Sequence, residues 1–169
     1  MIVLVMGVSG SGKTTIGAGL AQRLGARFLE SDRLHPPSNI AKMTKGEPLG
    51  DEDRLPWLQA IAAEIDRAHR DREKLVVACS ALKRRYRDIL TGSGHELRLV
   101  HLKGAPELVA ARLAERRNHF MPPGLLPSQF AALEEPAQDE RPIIVDISAA
   151  PATIVDRIVE ELAVVADRG

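Results

Sequence analysis

Near the start of the chain, Gly7-Val8-Ser9-Gly10-Ser11-Gly12-Lys13-Thr14 fits the pattern G-x-x-x-x-G-K-[ST]. Glycines at these spacings let consecutive backbone N–H groups curl around phosphate oxygens. A helix beginning at Lys13 adds further donors and the positive end of its dipole. Lys13 then reaches the β- and γ-phosphates of ATP, and the Thr14 hydroxyl binds Mg²⁺. The run from Gly7 to Thr14, with Thr15 beyond it, is the candidate nucleotide site.

The motif does not say what receives the phosphoryl group. Two carboxylates, Glu30 and Asp32, stand where a second strand should end, on the ligand-binding edge of such sheets. Glu30 is expected to hold Mg²⁺ through water. Asp32 is expected to orient an attacking hydroxyl and accept its proton. The third strand ends in Ala78-Cys79-Ser80, without a carboxylate, which favours a small-molecule kinase over a GTPase-type switch. Arg54 can grip an acceptor carboxylate in a bidentate fork. Lys83, Tyr86 and Arg87 leave the third strand on the same edge, and His35 in a proline-rich loop is a further acceptor candidate. His35 has no second His or Cys at ligand spacing, so a metal role is disfavoured. Arg112, Arg116 and Arg117 precede a stretch rich in Pro and Gly, Pro122-Pro123-Gly124. Arginines on a segment that closes over ATP neutralise developing charge, and closure excludes competing water. Arg116 is the candidate catalytic arginine, beside Lys13 and Asp32.

These residues need a frame. Apolar runs at Ile2–Met6, Arg27–Glu30, Leu75–Ala78, 97–102 and Ile143–Asp146 alternate with helical patterns, which predicts a parallel α/β sheet. A helix is expected over Lys13–Leu24, closed by Gly25, though Gly17 and Gly19 weaken it. Residues 33–52 read as loop, with at most one helical turn at 40–44. Asp53 is a candidate N-cap for a helix carrying Leu58, Ile61, Ala62 and Ile65, in which Trp57 reads as core. Short helices follow at 83–90 and from Pro106, residues 118–127 read as an irregular excursion, and Pro151 opens the last helix.

The whole chain has 169 residues, enough for one domain. Lys and Arg number 23, as do Asp and Glu, so no positive field exists to hold a nucleic-acid backbone or an anionic membrane. Only Phe28, Trp57, Tyr86, Phe120 and Phe130 are aromatic, too few for a base-stacking platform. Cys79 is the only cysteine, which rules out an intrachain disulfide and suits a cytoplasmic protein. The apolar start stops at Gly7, short of a signal h-region of about 7–15 residues.

Longer stretches are similar to the gluconokinase family, in the shikimate-kinase-like branch of P-loop kinases. They include Asp32-x-Leu34-His35-Pro36, Asn39-Ile40-x-Lys42-Met43 and Pro48-Leu49-x-Asp51-x-Asp53-Arg54-x-Pro56-Trp57-Leu58. Cys79-Ser80-Ala81-Leu82-Lys83-x-x-Tyr86-Arg87, Arg116-x-x-His119-Phe120-Met121 and Ser128-Gln129-Phe130-x-x-Leu133-Glu134 continue the match. The resemblance implies a P-loop NTPase fold with a five-stranded parallel sheet in order 2-3-1-4-5, flanked by helices. It also implies a mobile lid at about 116–128 and a homodimer. The implied reaction is phosphorylation of D-gluconate by ATP with Mg²⁺, with Asp32, Arg54 and Lys83 at the acceptor. The loop 147–151 lies where this fold holds adenine. The family commonly has Asp-Gly-Asp where this chain has Glu30-Ser31-Asp32. A kinase for shikimate or another sugar acid, and a non-catalytic ATP-binding module, remain the alternatives at this point.

Overall fold

A computed structural model describes residues 1–92, 94, 96–115 and 123–166. Five strands, β1 (Ile2–Met6), β2 (Arg27–Glu30), β3 (Leu75–Ala78), β4 (Leu97–Lys103) and β5 (Ile143–Asp146), form one sheet in the order β2-β3-β1-β4-β5. Every pairing is parallel. β1 lies at the centre, and its unbroken apolar run follows from burial on both faces. Alternation along the strand sends Val3 and Val5 to one core and Ile2, Leu4 and Met6 to the other.

Helices α1 (Lys13–Leu24) and α7 (Pro151–Ala166) cover the first face through Ile16, Leu20, Ile154 and Ile158. Helices α3 (Asp51–Arg70) and α4 (Arg84–Thr91) cover the second through Trp57, Leu58, Ile61, Ile65 and Leu90. Gly17 has a packing reason to interrupt α1. A Cβ there would stand 2.7 Å from the Phe28 ring, so glycine lets the helix close on β2. The remaining helices are α2 (Pro37–Thr44), α5 (Pro106–Glu115) and α6 (Leu126–Ala132).

Three expectations are corrected. The segment read as loop contains the eight-residue helix α2, whose first residue, Pro37, needs no N–H partner there. Helix α3 begins at Asp51 with Gly50 as its N-cap. Asp53 sits in the first turn, where its carboxylate accepts the Gly50 N–H at 2.8 Å. The excursion read over 118–127 gives way at Leu126 to α6, with Pro127 in its first turn.

Parallel strands put the loops that follow β1, β2, β3, β4 and β5 on one edge of the sheet. Met43, Leu49 and Leu125 form a small separate core that joins α2, the loop before α3 and the turn before α6.

Candidate active site

The loop between β1 and α1 wraps a cleft of about 520 Å³ at that edge. Gly10 adopts φ +84°, and a Cβ there would meet the Val109 carbonyl oxygen at 3.1 Å, so both conformation and space demand glycine. The Lys13 ammonium donates to the Val8 carbonyl at 2.9 Å, which holds it against its own loop. The N–H of Ser9 donates to Gln129 Oε1 at 2.7 Å, across a sequence separation of 120 residues.

Glu30 and Asp32 line the same cleft as Ser9, Lys13 and Thr14. The Thr14 hydroxyl donates to Glu30 Oε2 at 2.5 Å. Burial pushes the Glu30 carboxyl above its usual range, and Asp32 adds to the rise against the Thr14 bond and Lys13. Asp32 sits in a short 3-10 turn, 31–34, fixed from below by Trp57, whose indole N–H donates to the Ser31 carbonyl at 2.8 Å. Trp57 is therefore core, as its setting in the sequence suggests.

His35 stacks on Trp57 with ring centroids 4.1 Å apart and planes 14° apart. Asn39 Nδ2 approaches His35 Nδ1 at 3.2 Å and donates to the Asp53 carbonyl at 2.8 Å. An amide N–H can only donate, so this geometry assigns the imidazole proton to Nε2. Burial pushes the His35 pKa down to about 4, with Asp32 opposing and Arg54 assisting. His35 thus lines the cleft as a neutral ring, a hydrogen-bonding group rather than a cation.

Arg54 borders this cleft and a second one of about 440 Å³, which it shares with Met43 and Gln129. Lys83 and Tyr86 line the second cleft. Lys83 donates to Asp51 Oδ1 at 3.1 Å, and Tyr86 and Arg85 also donate to the Asp51 carboxylate. The Tyr86 bond leads the lowering of the Asp51 pKa to about 2. Arg54, Lys83 and Arg85 each lie 5.6 Å from the Tyr86 ring centre, and Arg54 and Lys83 give the second cleft a cationic wall.

Arg87 does not join this wall. It is buried, pairs with Glu140 and donates to the carbonyls of Ala81, Leu82 and Glu134. Its expected access to the acceptor is overturned by its helix position, about 100° around the axis from Tyr86. Cys79 is buried, and burial pushes its thiol up to about 12, as suits a small core residue. Gln129, Ser80 and Met43 line the first cleft without having been singled out from sequence for it. Gln129 carries a signal of its own, an amide in a short helix flanked by Leu125, Leu126 and Phe130.

On the other side of the phosphate loop, a cleft of about 770 Å³ lies between Gly12, Thr15, Arg112, Ala149 and Pro151. Arg112 is tied to this place by a 2.7 Å bond to the Ile147 carbonyl. The expected lid arginines, Arg116 and Arg117, and most of the expected lid lie outside the described residues.

Residues 2–136 match a family model described as an AAA domain. The chain is 45% identical over 157 residues to a gluconokinase from Gluconobacter oxydans, covering 93% of this chain and 88% of that one. A solved gluconokinase from Sinorhizobium meliloti superposes with a TM-score of 0.89 at 45% identity, covering 98% and 93% of the two chains. Shikimate kinase from Aquifex aeolicus shares the fold alone, with a TM-score of 0.61 at 16% identity and full coverage of both chains.

Proposed function

The chain belongs to the gluconokinase family, and on that premise we propose that it transfers the γ-phosphoryl group of ATP to the 6-hydroxyl of D-gluconate. The products are ADP and 6-phospho-D-gluconate. The observation that carries this reading is the shared cleft: the phosphate loop, Asp32 and Arg54 line one cavity, and it continues past Arg54 to Lys83. ATP phosphates enter from the loop side. An open-chain acid lies with its hydroxyl end at Asp32 and its carboxylate toward Arg54 and Lys83.

In the reaction the substrate hydroxyl oxygen bonds to the γ-phosphorus while the bond to the ADP oxygen breaks. Asp32 orients the hydroxyl and takes its proton. Lys13 leaves the Val8 carbonyl for the phosphates, where a fixed cation stabilises transferring charge. Arg116 is assigned the same task from a lid at about 116–128, and Thr15 and Arg112 flank the adenosine. The Thr14 hydroxyl and Glu30 carboxylate, bonded to each other across the cleft, are hard oxygen donors of the kind Mg²⁺ prefers. They fit that ion, Glu30 through water, and the ion would supply charge neutralisation at the β- and γ-phosphates. One kinase domain over residues 1–169, acting as a cytoplasmic homodimer, completes the reading.

An acceptor panel tests it. Purified protein with ATP and Mg²⁺ is offered D-gluconate, shikimate, glucose and sorbitol, and phosphate ester is measured. Gluconate should dominate, and a preference for shikimate or a neutral sugar would overturn the assignment.

A further inference from the structure

Gln129 lies 120 residues from the phosphate loop in sequence, yet its carboxamide oxygen accepts the Ser9 N–H at 2.7 Å. The side chain is only 5% exposed, so water does not compete for that bond. Gln129 also belongs to the walls of both the phosphate cleft and the cationic cleft beyond Arg54. Two bonds fix its helix, α6, one within its first turn and one to another segment just beyond its end. The Ser128 hydroxyl donates to the Leu125 carbonyl at 2.7 Å, and the Glu134 N–H just beyond the helix donates to the Leu82 carbonyl at 2.8 Å. The Leu82 carbonyl belongs to the segment that presents Lys83. One side chain therefore touches the peptide that shapes the phosphate loop while standing in the wall where the acceptor sits.

We infer that Gln129 is a positioning residue: it fixes the Ser9 peptide so that the phosphate loop and the acceptor cleft keep one mutual geometry. This rests on the proposed acceptor site. Phosphoryl transfer depends on alignment of the attacking oxygen with the γ-phosphorus, and small misplacements lower turnover steeply. Phosphate donors other than Ser9, from Gly10 to Thr14, remain in the chain when Gln129 is replaced. Its loss should therefore disturb alignment more than nucleotide affinity.

The test uses Gln129→Met, which keeps length and volume but removes the acceptor oxygen, with Gln129→Leu as a second variant. Amide exchange at Ser9 is followed by NMR without substrates, and kcat and the KM for ATP and gluconate are measured at low temperature. Ser9 exchange should rise about tenfold or more, because a buried N–H loses its partner. The kcat should fall about tenfold while the KM for ATP changes less than about threefold. Unchanged Ser9 exchange would overturn the inference. So would faster exchange with normal kcat, which would leave the bond a stability contact only. A rise confined to the KM for ATP would make Gln129 a nucleotide-binding residue instead. Wild-type turnover on gluconate reports separately on the acceptor assignment, so the two readings fail in different measurements.

Discussion

Lys13 donates to the Val8 carbonyl within the loop, a bond that phosphate oxygens can replace. Lys13→Ala should lower kcat by about 10²-fold or more, because charge stabilisation in the transition state is lost. Its melting temperature should stay close to wild type, since Lys13 belongs to none of the three hydrophobic cores. Near-normal turnover would remove Lys13 from the site. Acceptor choice is argued from Arg54 and Lys83. A neutral polyol offers no carboxylate to Arg54 and leaves Lys83 only its bond to Asp51, so gluconate should be favoured. Arg54→Leu and Lys83→Met should each reduce the ratio of kcat/KM for gluconate to that for sorbitol, while Asp32→Asn should abolish turnover on both. Unchanged ratios in both cation variants would place carboxylate recognition elsewhere. His35 would not be a cationic replacement, because burial keeps its ring neutral near pH 7.

The buried pair of Arg87 with Glu140 ties α4 to the short turn Gln138–Glu140, and three carbonyls complete the guanidinium's bonding. Arg87→Met removes the two-point partner of the largely buried Glu140, leaving it the Ala137 N–H and a 3.6 Å contact with Arg84, and should destabilise the protein by about 3 kcal/mol. Urea unfolding checks this, with residual activity expected at low temperature. A loss of activity without a loss of stability would return Arg87 to the acceptor site. The elements carrying the site differ in how legible they were. β1 and the phosphate loop stand out because a doubly buried strand writes an unbroken apolar run and the loop needs glycine at fixed places. Helices α2 and α6 were hidden by Pro37 and Pro127, which punctuate a sequence but suit a first turn. Arg87 was misjudged because residue type does not say which way a helix side chain faces. Gln129 was missed because its bond to Ser9 joins distant parts of the chain.

At the scale of the whole molecule, five parallel strands bring loops from separate segments to one edge, and the proposed chemistry requires them together. The buried His35 makes that assembly sensitive to acid. Its pKa falls from an ordinary 6.5 to about 4 on folding, so the unfolded chain binds more protons between these values. The stability His35 contributes is complete above about pH 6.5 and is lost as pH falls toward 4. Urea midpoints across that window should decline in the wild type and decline less steeply in His35→Phe, which keeps a ring against Trp57. Identical slopes would show that other groups set the acid limit. The central claim, transfer from ATP to gluconate within one cleft, is tested most directly by the stoichiometry of turnover. With ATP and Mg²⁺, ADP release should depend on added gluconate, and each ADP should be matched by one 6-phospho-D-gluconate, observed by ³¹P NMR. ADP release that proceeds at the same rate without gluconate, with inorganic phosphate as the other product, would contradict it.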